Sequence, residues 1–203
     1  MPQTPDYSLV DLPARAAHAL EVHQELARQL EDAYLVRCRR RTVLGKPAIA
    51  ILGMGRAGKD TAGEFLSARF GLAPCRSSSL NALPFVATMI GLPDDVAYRE
   101  RHEHREFWIN ACNALRADDL TRLARWCLGA CDLAVGLRGK GEFAAVMREG
   151  VCALSVWIEN PRAPNDVTVE FTRGDCDVVV DNDTSLERFH DRLAKFGSVV
   201  YRR

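Results

Sequence analysis

One stretch constrains this chain more than any other. Ala48 to Leu52 is a short, wholly apolar run bounded by Pro47 and Gly53, which reads as a buried strand of a parallel sheet. Gly53-Met54-Gly55-Arg56-Ala57-Gly58-Lys59-Asp60-Thr61 follows, and from Gly58 to Phe70 the residues Ala62, Phe65, Leu66 and Phe70 mark an amphipathic helix that Gly71 ends. Strand, glycine turn with lysine, then helix is the pattern of a phosphate-binding loop. The order has a physical reason. Glycines let backbone N–H groups point inward around phosphate oxygens, the helix aims its positive end at the same oxygens, and Lys59 reaches the β- and γ-phosphates as a mobile point charge. The alternative is a plain glycine-rich turn between strand and helix; the apolar strand before it and the amphipathic helix after it favour the phosphate loop. Gly53, Gly55, Arg56, Ala57, Gly58, Lys59, Asp60 and Thr61 are therefore expected to bind nucleotide. Where such loops carry Ser or Thr after the lysine to hold Mg²⁺, this chain has Asp60, also a hard oxygen ligand, with Thr61 next.

The rest of the chain alternates strands and helices. Helical patterning covers 14–35, 82–90, 99–115, 118–128 and 142–149, and strands are expected at 132–135, 153–158 and 177–180. Thr184 is expected to cap a last helix running to Phe196 and closed by Gly197. That alternation predicts a three-layer α/β domain with a mostly parallel sheet over residues 43–203, plus an N-terminal helical arm over 1–42. Pro2, Pro5 and Pro13 discourage earlier helix, and Arg37, Arg39, Arg40 and Arg41 fall near the arm's expected end. The arm has three readings: packing on the core, joining two copies into an oligomer, or touching phosphates.

Composition sets outer limits. The 203 residues hold 27 basic and 27 acidic side chains, so no global field points to nucleic acid, and tight nonspecific DNA binding is disfavoured. Of the basic residues, 23 are Arg and 4 are Lys, which makes a lysine inside a glycine loop stand out. No apolar run approaches the roughly 20 residues needed to cross a bilayer, so no membrane partner is expected. The opening Met1 to Asp6 lacks a basic region followed by an apolar one, and the chain is expected in the cytoplasm (of the host cell, if phage-encoded). Seven cysteines, none in a Cys-x-x-Cys pair, read as reduced thiols rather than a zinc site.

Gly53 to Thr61, read as Gly-x-x-x-x-Gly-Lys-Asp-Thr, resembles the loop of bacteriophage deoxynucleoside monophosphate kinases. Leu137-Arg138 with Glu142 is similar to that family's strand-end arginine and following glutamate. Asp177 to Asn182, followed by Thr184 to Glu187, is similar to its last strand, its Asn turn near the adenine, and its final helix. The resemblance spans roughly 47–197. It implies a P-loop kinase domain using ATP and Mg²⁺, with Asp60 and Thr61 at the metal, Asn182 near the base, and catalytic roles for Lys59, Asp60 and Arg138. Three features depart from it. Gly136 stands where the family carries an Asp, leaving Asp60 to serve the metal; Arg76 to Asn81 replaces a Phe-Ala-x-Pro segment; and the arm is extra.

The segment Tyr98 to Trp108 resembles a phage branch that phosphorylates 5-hydroxymethyldeoxyuridine in DNA. On one helix Arg101, His104, Arg105 and Trp108 would share a face, two arginines clamping a phosphate and Trp108 stacking on a base. Interleaved Glu100, Glu103 and Glu106 make ordinary surface ion pairs the competing reading, and core packing competes for Trp108. Arg138 follows a parallel strand, where open α/β sheets place ligands, and Arg162 lies in a proline-flanked loop, either a lid arginine or an exposed one. The acceptor is expected to be the hydroxymethyl group of that modified base in DNA, with a free deoxynucleoside monophosphate second. A hydroxymethyl acceptor profits from a base, for which Asp60, Glu100, Glu103, Asp118, Asp119 and His104 are available by type. With Gly136 in place of a carboxylate, a nucleotide-binding module without turnover is the reading from a different class.

Overall fold

The computed structural model describes residues 5–74 and 78–201; Arg76, one of the departures named above, lies outside them. β1 (Ile49–Leu52) is the centre of a four-stranded, all-parallel sheet with β2 (Leu133–Val135) on one side and β3 (Leu154–Glu159) then β4 (Val178–Asp181) on the other. Alternating side chains of β1 serve opposite faces. Ile49 and Ile51 pack with Leu66 of α3 (Lys59–Phe70) and Leu193 of α9 (Leu186–Val200), whereas Ala50 and Leu52 pack with Leu128 of α7 (Arg122–Ala130) and Val146 of α8 (Lys140–Arg148). Helices thus cover both sides of the sheet, as expected for an α/β chain whose strands are apolar throughout. From β1 the chain goes to β2 on one side and then to β3 on the other. The strand order therefore reverses beside the C-terminal end of β1, where such sheets leave a crevice.

A second apolar cluster is wholly helical. It joins α1 (Leu12–Val22), α4 (Ser78–Ile90), α5 (Asp94–Glu100), α6 (Arg105–Leu115) and Trp126, whose ring stacks on Phe85 at 4.7 Å. The expected 14–35 helix is two: α1 ends at His23, and α2 (Gln24–Leu44) starts there and packs along α7. His23 pins the break, its Nε2 lying 2.7 Å from the Thr88 hydroxyl of α4. Pro13 starts α1 instead of discouraging it, because a first-turn proline gives up an N–H that has no helical partner. The 99–115 helix is also broken, with 101–104 forming a turn between α5 and α6. Ser185, not Thr184, caps α9 by accepting from the Arg188 N–H at 3.4 Å. Gly197 lies inside that helix against the Phe70 ring and does not end it. Among the described residues no helix is long and apolar enough to cross a membrane.

Candidate functional site

The glycine turn sits at that crevice. Gly53 has φ +142°, and a Cβ there would meet the Ile158 carbonyl of β3 at 2.7 Å; only glycine lets the chain leave β1 so close to its neighbour. Arg56 (φ 62°) and Gly58 (φ 101°) are left-handed too. Ala57 N–H closes the turn onto the Met54 carbonyl at 3.2 Å. Lys59 opens α3 and folds back, its Nζ donating to the carbonyls of Gly53 at 2.9 Å and Met54 at 2.6 Å. Asp60 is exposed on the first turn of α3, and Thr61 is half-buried beside it. Asn182, just after β4, donates from Nδ2 to the Ala57 carbonyl at 2.9 Å, so this residue is part of the turn's support. Arg56 is exposed.

Burial, and then the nearby Arg138 charge, lower the Lys59 ammonium to about 8, against the pull of Asp60 and Asp166. Its charge is complete well below pH 8 and is lost as pH rises through that value. Affinity for an anionic phosphate ligand is therefore expected to fall above pH 8, by up to about tenfold per unit where the free lysine is neutral and the bound one charged. Titration calorimetry with ATP from pH 6.5 to 9.5 checks this.

Arg138 lies across from the turn, with Asp166 between its guanidinium and Gly55. Glu142, at the third position of α8, pairs with Arg116 Nη1 at 2.6 Å. Burial is the largest influence on this carboxyl and pushes it above its ordinary range. The Arg138 guanidinium donates to Asp166 Oδ2 at 2.8 Å and to the Thr168 hydroxyl at 2.6 Å. Arg105 Nη2 donates to the same Asp166 oxygen at 2.7 Å. Burial alone would raise Asp166, but Thr168, Arg138 and Arg105 outweigh it and hold the carboxyl well below the usual carboxylate range.

A cleft of about 220 Å³ opens here, lined among others by Arg101, Arg105, Trp108, Arg116, Arg138 and Glu142. Arg101, Arg105 and Trp108 thus meet Arg138 in one place, although they do so across a helix break. Trp108 lines the cleft, is 5% exposed and also packs in the helical cluster. His104 stacks on Tyr7 at 3.4 Å between ring centroids and does not line the cleft; His102 does. Arg162 is exposed and donates to the Thr184 carbonyl at 3.3 Å, which sets it at the β4–α9 turn, not with Arg105 and Arg138. Of the carboxylates expected as bases, Glu100 accepts from the Tyr7 hydroxyl at 2.7 Å, Asp118 pairs with Arg122 at 2.7 Å and Asp119 with Arg125 at 2.5 Å. None of these lines the cleft.

Sequence reasoning missed Asp166, Arg116 and His102. Asp166 sits in the irregular segment between β3 and β4, and its one sequence signal is a carboxylate following a parallel strand. No protein-family model, curated protein or solved structure matches this chain.

Proposed function

We propose that this protein is a phosphotransferase that moves the γ-phosphoryl group of ATP, with Mg²⁺, to a deoxynucleotide-type acceptor. The observation that carries the reading is the left-handed glycine turn with Lys59 at the C-terminal edge of β1, facing an arginine-lined cleft. The turn's N–H groups and Lys59 bind the donor phosphates. Asn182 supports the turn through the Ala57 carbonyl. Asp60 and Thr61, hard oxygen donors on the first turn of α3, would hold Mg²⁺, which takes one or two protein oxygens and fills its remaining positions with water and phosphate. When bound, the metal neutralises charge on the transferred phosphoryl oxygens. Arg105 and Arg138 supply the protein's share of that neutralisation.

Phosphoryl transfer needs positioning and positive charge more than covalent chemistry. Four arginines line the cleft, which suits an acceptor bearing phosphate. A monophosphate acceptor attacks through an oxygen that is already ionised and needs no base. The cleft agrees, because Glu142, a carboxylate in its lining, is paired with Arg116. A free deoxynucleoside monophosphate is accordingly the first acceptor. The hydroxymethyl group of 5-hydroxymethyldeoxyuridine in DNA is the second, favoured by exposed His102, an imidazole in the cleft that can take the hydroxyl proton.

The test is incubation with γ-labelled ATP and Mg²⁺, offering free deoxynucleoside monophosphates beside DNA containing the modified base. Label in a free diphosphate is the expected result. Label in the polymer alone makes the second acceptor the correct one. ATP binding without label in either overturns the enzyme reading and leaves a nucleotide-binding module.

A further inference from the structure

Asp166 lies between the glycine turn and the two arginines that the proposed reaction assigns to the phosphoryl group. Its Oδ2 receives hydrogen bonds from two guanidiniums that come from different parts of the fold, Arg105 of α6 at 2.7 Å and Arg138 after β2 at 2.8 Å. A Cβ on Gly55 would lie 2.8 Å from that same oxygen, so the carboxylate rests against the glycine turn. The Asp166 side chain is 8% exposed, while those of Arg105 and Arg138 are 50% and 30% exposed. Solvent thus reaches both arginines but hardly reaches the carboxylate between them.

The charges do not balance, because two guanidiniums share one carboxylate. A phosphoryl dianion matches such a pair better, with more oxygens and twice the charge. The carboxylate is carried on a segment outside the regular elements of the fold. Residues 160–170 contain no helix or strand, and Val167, next to Asp166, is 86% exposed.

We infer that Arg105 and Arg138 form a binding site for a phosphoryl dianion, and that Asp166 is its internal occupant, displaced by the incoming phosphoryl group. This rests on the phosphate-binding role proposed for the glycine turn. Displacement costs affinity, so removing the carboxylate's charge must tighten binding. A residue that only orients the two arginines would show the opposite sign.

Calorimetric titration of the full chain with inorganic pyrophosphate, without added metal, separates the two. Asp166→Asn is expected to bind pyrophosphate about tenfold more tightly than the wild type. Thr168→Val removes the hydroxyl that donates to Asp166 Oδ1 at 2.6 Å; it is expected to move affinity in the same direction by a smaller factor, and it decides the matter should Asp166→Asn fail to fold. Unchanged or weaker binding by a folded Asp166→Asn overturns the inference alone, provided that wild-type binding depends on Lys59. If Lys59→Ala binds pyrophosphate as well as the wild type, or neither binds, the role proposed for the turn falls and the inference falls with it.

Discussion

Lys59→Ala is expected to leave the chain folded and to lower phosphoryl transfer from ATP by about 10²–10³-fold, the range seen when one preorganised positive group is removed from a reacting oxyanion. The ammonium is half-buried and turned back onto the Gly53 and Met54 carbonyls, which places it at the mouth of the turn. Alanine is a good residue at the start of α3, and two neutral acceptor carbonyls lose a donor at a cost of about 1 kcal/mol each. The fold therefore survives the change while the charge does not. Circular dichroism establishes the first point, and label transfer to the preferred acceptor the second. Transfer within about threefold of wild type would remove Lys59 from the phosphate site.

The largest effect on stability is expected at Glu142. Its side chain is 4% exposed and that of its partner Arg116 is 12% exposed, at 2.6 Å. Glu142→Ala leaves a nearly buried guanidinium without its counter-charge, which costs about 3–5 kcal/mol. In a chain of this size that loss lowers the melting temperature on the order of 10 °C. Glu142→Gln keeps an acceptor oxygen for the Arg116 guanidinium and should lose less. Urea unfolding of both variants reads the difference, and a loss under about 1 kcal/mol for Glu142→Ala would show that Arg116 finds water or another partner.

The two residues with these effects were not equally visible in the sequence. β1, the turn and α3 are punctuated locally: apolar run, glycines at fixed spacing, then a helical stripe ended by Gly71. Local rules sufficed there, and the other strands and the α/β class followed from the same alternation. The breaks at His23 and at 101–104 were hidden for the opposite reason. Helical periodicity continues on both sides of each, and the interruption is set by distant partners: Thr88 beside His23, and Tyr7 stacked on His104. No window of sequence contains both members of those pairs.

Trp108 shows a different limit. Its spacing from Arg101 and Arg105 fits a binding face and a buried stripe equally well, and in the fold it both packs in the helical cluster and lines the cleft. Asp166 is the clearest case. It is 61 residues from Arg105 and 28 from Arg138, in a segment with neither helical nor strand periodicity. Only the fold brings it against Gly55.

Direct calorimetric titration of the wild-type chain with ATP and Mg²⁺ near pH 7 tests the central claim, that the turn from Gly53 to Thr61 holds nucleotide phosphates. Saturable binding at one site, abolished or weakened at least about tenfold in folded Lys59→Ala, is the predicted result. No saturable heat at millimolar ATP, or equal binding by the two proteins, would contradict it.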